Sequence, residues 1–202
     1  MADAALDAAR REAPGLALEL YLVRGRDRSL ERREGRPEMT TESVEEGMGL
    51  RLGDGKALAA AASGGLSAES AADLARRAKA QLSLLTPDPS GVGRAGGPAA
   101  AAAAAALPAT LMDPDVFKAP LQCYAPRLDE LAARARRADR RVKRILNAGF
   151  GASLAEVAIV STAGARAYER GSSASLGLTL GAVSGGGLQL GSGSRLARPR
   201  ST

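Results

Sequence analysis

Thr40-Thr41-Glu42-Ser43-Val44-Glu45-Glu46-Gly47-Met48-Gly49-Leu50-Arg51-Leu52-Gly53-Asp54-Gly55-Lys56 is the stretch that decides the fold. Thr40, Thr41 and Val44 favour an extended chain. Asp54-Gly55 then closes the run with a pair that tolerates positive φ, a strong hairpin signal between extended segments. A second turn pair, Glu34-Gly35, lies upstream, and Pro37 sits near a strand start or edge, where a missing donor costs little. Residues from Arg26 to Ser63 therefore read as an antiparallel meander of four or five strands. Just before it, Leu16, Leu18, Leu20 and Leu22 alternate with Ala17, Glu19, Tyr21 and Val23, a period of two that sends one set to a core. Ala4 to Ala13 reads as an Ala-rich helix stopped by Pro14-Gly15.

Downstream the period changes. Ser67 follows Gly64-Gly65 as a natural N-cap, and Leu74, Ala75, Ala78 and Leu82 recur at helical spacing. From Pro87 to Pro108 the composition collapses to Pro, Gly and the alanines Ala99 to Ala106, which we read as an exposed loop, with a short helix as the alternative. A second helix starts at or just before Pro126, with Leu128, Leu131, Ala135 and Ala138 on one face. From Ala155 to Leu190 strands return: Val157 and Ile159 alternate, Ala163-Gly164 turns, Leu176, Leu178 and Leu180 alternate, and Ser184 to Gly187 turns. The expected class is α+β, antiparallel β-meanders packed with helices in the order strands, helices, strands, because segregated elements argue against a Rossmann-like sheet. We expect one domain over residues 1–183, with a low-complexity loop at 87–108, and a Gly/Ser/Arg-rich tail over 184–202 that is disordered or marks a truncated end.

A chain of 202 residues can bury a proper core, here of Leu, Val, Ile and Ala, since aromatic residues make up only 2%. Twenty-eight Lys and Arg against 22 Asp and Glu leave a net charge of +6, with a pI near 10.1. That balance raises a basic nucleic-acid-binding or general protein-interaction module as the alternative function. Bases and acids are mixed along most of the chain, however, and no aromatic residue is interleaved with the arginines, so a nucleic-acid partner is disfavoured. The dense run Arg134, Arg136, Arg137, Arg140, Arg141, Lys143, Arg144 reads as the solvated face of an amphipathic helix before a phosphate site. No long apolar segment and no signal peptide are expected, and a lone Cys123 fits a reducing compartment, so we expect a cytoplasmic protein without a membrane partner.

The chemistry is restricted in the same way. With no histidine, the chain has no Ser-His-Asp triad, Cys-His pair or histidine-bearing zinc site. Cys123 reads as a small buried hydrophobe and not as a nucleophile. Gly91-Val-Gly93-Arg-Ala-Gly96 matches GxGxxG, but its flanks, Thr86-Pro-Asp-Pro89 and Gly97-Pro98, are loop punctuation where a dinucleotide site needs a strand and a helix. Asp113-Pro-Asp115 offers two carboxylates, which read as a turn or helix cap before a metal site. We expect no catalytic, cofactor-binding or metal-ligating residue in this chain.

Val44 to Leu52, followed by Gly53-Asp54-Gly55-Lys56 and a small-residue strand, resembles the G-x-G-x-R meander of the TldD/PmbA (modulator of DNA gyrase) metallopeptidase family. In order with it stand Ala17-Leu18-Glu19-Leu20-Tyr21, the helix Ser67-Ala68-Glu69 to Leu74-Ala75, and Glu156-Val157-Ala158-Ile159-Val160-Ser161-Thr162-Ala163-Gly164, so the resemblance spans roughly residues 4 to 182. It implies the non-catalytic amino-terminal domain of a peptidase system acting on unfolded or small peptides. In such a system two related TldD/TldE-type chains pair around a proteolytic chamber. It also implies that zinc, in metal-bearing members, sits on an HExxxH-type motif in a carboxy-terminal half that this sequence does not contain, so the chain alone is expected to be inactive. Metal-bearing TldD type and metal-free PmbA/TldE type both stay open, and the reading leans to the latter.

Resemblance and periodicity part company at one place. Leu128, Leu131, Ala135, Ala138, Val142 and Ile145 would carry the helix on, whereas the family pattern ends it near an Asp. We expect helix to about Ala138 and strand from about Arg141, with a turn around Gly149 to Ser153 leading into the Val157-Ile159 strand. With no following half to cover them, Leu176, Leu178 and Leu180 are expected to lack certain partners and to favour association.

Overall fold

A computed structural model describes residues 1–87 and 113–197. Helix α1 (Ala2–Glu12) is followed by three strands, β1 (Ala17–Arg33), β2 (Arg36–Gly53) and β3 (Leu58–Ser63), and by helix α2 (Ala68–Leu82). Two short 3-10 turns, Pro114–Phe117 and Leu121–Tyr124, lead into helix α3 (Ala125–Ala138) and strands β4 (Val142–Ser161), β5 (Arg166–Ser184) and β6 (Gly187–Ala197). All six strands form one sheet in the order β3-β2-β1-β4-β5-β6. The class is α+β with an antiparallel sheet, as expected.

The meander holds fewer and longer strands than the four or five expected. Between Val23 and Asp27 no residue pair supplies a turn, so β1 stays extended to the Glu34-Gly35 hairpin, where φ of +51° and +80° gives the positive-φ pair that such a turn requires. At the second turn the Asp54 side chain does the work, accepting the backbone N–H of Lys56 and of Ala57 at 2.8 Å each. The helix-to-strand change after Ala138 is found where it was expected. The turn at Gly149 to Ser153 is not: β4 runs unbroken through it. Gly149 and Gly151 have no positive φ. A side chain at Gly151 would meet Ser175 Oγ at 3.1 Å, so the glycine admits a close neighbour and does not bend the chain.

β1 and β4 run antiparallel, since the start of one meets the end of the other: Thr162 N–H, just past β4, donates to Leu18 O at 2.9 Å, and Asn147 Nδ2, early in β4, donates to Glu31 Oε2, late in β1, at 2.7 Å. Gly187–Ala197, expected in a disordered tail, forms β6, paired with β5 from Ser184↔Gly187 to Ala174↔Ala197. Glycine and serine composition suggested a linker, but Leu188, Leu190 and Leu196 alternate, and Gly185-Gly186 at φ +59° and +82° folds the strand back.

The chain divides into two units. The first comprises Met1–Gly25, 45–87 and Ala155–Arg170. Its core takes Leu18, Leu20 and Leu22 from β1, Met48, Leu50 and Leu52 from β2, Ala59 from β3, and Ala5, Leu6, Ala9, Ala71, Leu74, Ala75 and Ala78 from the helices. Alanines facing one another let α1 and α2 approach closely. Ser67 Oγ caps α2 by accepting Ser70 N–H at 3.0 Å, and Lys79 Nζ donates to the Glu12 carbonyl at the end of α1.

The second unit comprises Arg26–Val44, 113–154 and 171–197. Leu30, Leu121, Leu128, Ala132, Ile145, Ala148, Phe150 and Ala152 form its core. Tyr124 stacks on Phe150 with ring centroids 3.8 Å apart. Leu176, Leu178 and Leu180 pack against this core, so they do have partners. The large apolar side chains left exposed in this unit include Val183 and, on β6, Leu188, Leu190 and Leu196.

Candidate functional site

Cys123 is exposed and not buried as expected, because it falls on the outer side of a short 3-10 turn whose inner residue is Leu121. Asp113 caps the preceding 3-10 turn, its Oδ1 accepting Asp115 N–H at 2.9 Å, so the Asp113-Pro-Asp115 pair is a cap. Beside it Lys118 is paired with Asp115, which raises the lysine pKa through hydrogen bond and charge. The basic run divides at Asp139. Arg134 pairs with Glu130 on α3, Arg141 clasps Asp139, and Arg136, Arg137, Arg140, Lys143 and Arg144 are exposed. Gly91-Val-Gly93-Arg-Ala-Gly96, Ala99 to Ala106 and most of the 87–108 loop lie outside the described residues.

Arg28 is the feature that the sequence reading missed. It is only 4% exposed, and its guanidinium donates to the carbonyls of Val116 and Phe117 while lying 4.9 Å from the Phe117 ring. A single β1 side chain thereby fastens the Pro114–Phe117 turn. The alternation Arg26, Arg28, Leu30 against Asp27, Ser29, Glu31 carries a signal, since it places Arg28 on the same face as the buried leucines.

On the opposite alternation lies a shallow depression of ≈ 290 Å³. Asp27 and Ser29 of β1, Thr41 of β2, Ser153 of β4, and Ser173 and Ser175 of β5 contribute polar groups to it. Ser153 Oγ donates to Asp27 Oδ1. Period two gives the face of each of these residues within its own strand, and the strand register brings them together. Their hydroxyls can bind backbone groups of an extended ligand. The sequence has no histidine to act as their base, and the carboxylate that meets one of them is that of Asp27, at Ser153 Oγ. Among the described residues no group of three or more His, Cys, Asp or Glu side chains comes together, and no helix is long and apolar enough to cross a membrane.

Residues 18–82 match the model of PmbA/TldA metallopeptidase domain 1, and residues 120–198 match that of the PmbA/TldA metallopeptidase central domain. The chain belongs to the PmbA/TldD family. Among solved structures it is similar to TldE from Thermococcus kodakarensis, with a TM-score of 0.72 and 16% identity over 98% of this chain and 42% of that one. It is also similar to a protein assigned as a modulator of DNA gyrase from Bacteroides thetaiotaomicron, with a TM-score of 0.77 and 16% identity over 98% of this chain and 44% of that one. A third similar structure is an assigned modulator of DNA gyrase from Thermotoga maritima, with a TM-score of 0.71 and 15% identity over 98% of this chain and 44% of that one. The PmbA/TldD chain described here thus spans less than half the length of these relatives. No curated protein matches it.

Proposed function

We propose that this chain serves a PmbA/TldD metallopeptidase as a non-catalytic scaffold. In this reading it pairs with a TldD/TldE-type chain in the cytoplasm, as a homo- or heterodimer, and lines the path by which unfolded or small peptides reach zinc held by residues outside this sequence. The observation that carries the reading is the hydroxyl-lined sheet face of the second unit, which offers hydrogen bonds to an extended chain. The purified chain, incubated with zinc and unstructured peptides and then dialysed, should retain less than one equivalent of metal and leave the peptides intact. One equivalent of zinc with chelator-sensitive cleavage would overturn this. A tagged form should also co-purify with a full-length PmbA/TldD chain in fixed stoichiometry.

A second reading, binding to nucleic acid, draws on the exposed Arg136, Arg137, Arg140, Lys143 and Arg144. It requires affinity for duplex DNA that falls steeply between low and physiological salt, so a titration at two salt concentrations separates it from the scaffold reading.

A further inference from the structure

The two outer strands of the sheet are finished differently. β3 is six residues long, and Arg77 of α2 donates to its Ala62 carbonyl. β6 is eleven residues long, exposed throughout, and among the described residues has no neighbour on its outer side. Long exposed apolar edges are templates for further pairing, and natural proteins usually blunt them with charge, proline or a bulge. β6 carries one charge, Arg195, and no proline.

The geometry points to a second copy of this chain as the occupant of that edge, with the two β6 strands pairing antiparallel about Ser192. The inference rests on the subunit-pairing part of the reading above and assigns it a surface. The argument is the residue order Gly187-Leu-Gln-Leu-Gly-Ser192-Gly-Ser-Arg-Leu-Ala197, which is nearly palindromic in residue class about its centre. A two-fold at Ser192 sets Leu188 against Leu196 twice, Gly191 against Gly193, Gln189 against Arg195 and Leu190 against Ser194, so four of the six leucines meet one another and no like charges oppose. It also overlaps all eleven residues, which no shifted register does.

Backbone geometry agrees. The two-glycine turn closes on the pair Ser184↔Gly187, whose N–H and C=O groups bond across the hairpin. Alternation then turns the groups of Leu188, Leu190, Ser192, Ser194 and Leu196 outward, and a two-fold at Ser192 pairs outward groups with outward groups. Leu188, Leu190 and Leu196, 55%, 66% and 59% exposed, lie on the same alternation, and Leu188 already leans over Gly181.

Disulfide trapping reads the register directly. In a Cys123→Ser background, Ser192→Cys should form a covalent dimer under mild oxidation, because its Cα stands about 5.5 Å from its own mate. Leu188→Cys alone should not, its mate lying roughly 27 Å away at strand spacing, whereas mixing Leu188→Cys with Leu196→Cys should trap the pair. Ser192→Pro removes an outward N–H without touching the bonds to β5. It should sediment as a monomer with an unchanged circular dichroism spectrum, where the parent sediments as a dimer. A monomeric parent chain, a dimeric Ser192→Pro variant, or Leu188→Cys trapping as fast as Ser192→Cys would each overturn the proposal. A dimer that Ser192→Cys fails to trap would overturn this edge as the interface while leaving subunit pairing itself intact.

Discussion

The first unit buries the leucines of β1 and β2 under two helices, whereas the second half-buries those of β5 beside one helix and leaves those of β6 in water. In sequence the sets look alike, leucines at alternate positions, with Ser192 and Ser194 interrupting the row in β6. What separates those of β5 and β6 is the face: Leu188, Leu190 and Leu196 stand opposite Val183, Gly181 and Ser175, on the side of the sheet away from Leu176, Leu178 and Leu180. Alanines on α1 and α2 let two helices share one strand layer, while α3 alone must serve the second unit, helped by two 3-10 turns and the Tyr124–Phe150 stack. Alternation therefore identifies a strand and its faces but does not say what, if anything, will lie over them.

Substitutions at equivalent leucines sharpen this contrast most. Leu50→Ala, in the first core, should lower the stability measured by urea unfolding by about 2–5 kcal/mol, through lost burial and the cavity left behind. Leu190→Ala on β6, under dilute conditions, should change it by no more than about 0.5 kcal/mol. Equal losses at the two positions would break the comparison.

In the second unit the corresponding weak point is polar. Arg28→Ala withdraws the donors that satisfy the carbonyls of Val116 and Phe117. The expected cost is about 1–3 kcal/mol, since those acceptors lose charged partners at a buried site. Amide exchange over residues 115–124 should accelerate more than exchange in α1 or α2. Uniform acceleration across both units would show that Arg28 supports the whole fold and not this turn.

The parts of the fold legible in sequence were those set by local chemistry. Asp54-Gly55 and Glu34-Gly35 turn because they tolerate positive φ or accept nearby N–H groups, and Ser67 starts a helix because its hydroxyl can cap one. Length was misread at Val23–Asp27 and at Gly149–Ser153. At Gly151 glycine permits close packing as readily as a turn, and only the neighbouring strands decide between the two. β6 was missed because Gly and Ser composition masks the alternation of Leu188, Leu190 and Leu196. The hydroxyl row was missed because its members, Ser29, Ser153 and Ser175, are far apart in sequence and become a site only through strand register. Arg28 was missed because arginine is expected at the surface unless a carbonyl partner is already known.

The cap of α2 gives a smaller test within the first unit. Ser67→Ala removes the acceptor for Ser70 N–H and should cost about 1 kcal/mol, with Ser67→Asp restoring most of the loss. Since α2 packs on the first core and not on the second, the amide of Ser70 and its neighbours should show the change in exchange first. No change at those amides would mean that the core fixes the end of α2 without the cap.

The smallest expected effect lies at the junction where periodicity and resemblance disagreed. Asp139 takes an extended φ of −147° at the end of α3, and its carbonyl accepts Val142 N–H as the chain turns into β4. The Arg141 guanidinium and the Arg141 backbone N–H hold its carboxyl at a pKa of about 2, below the ordinary 3.8. A folded pKa below the unfolded one means that the unfolded chain binds the proton more tightly. The stabilisation is therefore complete above pH 3.8 and is lost as pH falls toward 2. Asp139→Asn keeps an acceptor for the backbone N–H but removes the charge. Its urea midpoint should lie slightly below that of the parent at pH 5, converge with it by about pH 2, and approach it at pH 5 when salt is raised, because the pair is exposed and screened. A difference that stays constant from pH 5 to pH 2 would assign the break after Ala138 to backbone geometry alone and remove the ion pair from the account of why α3 stops.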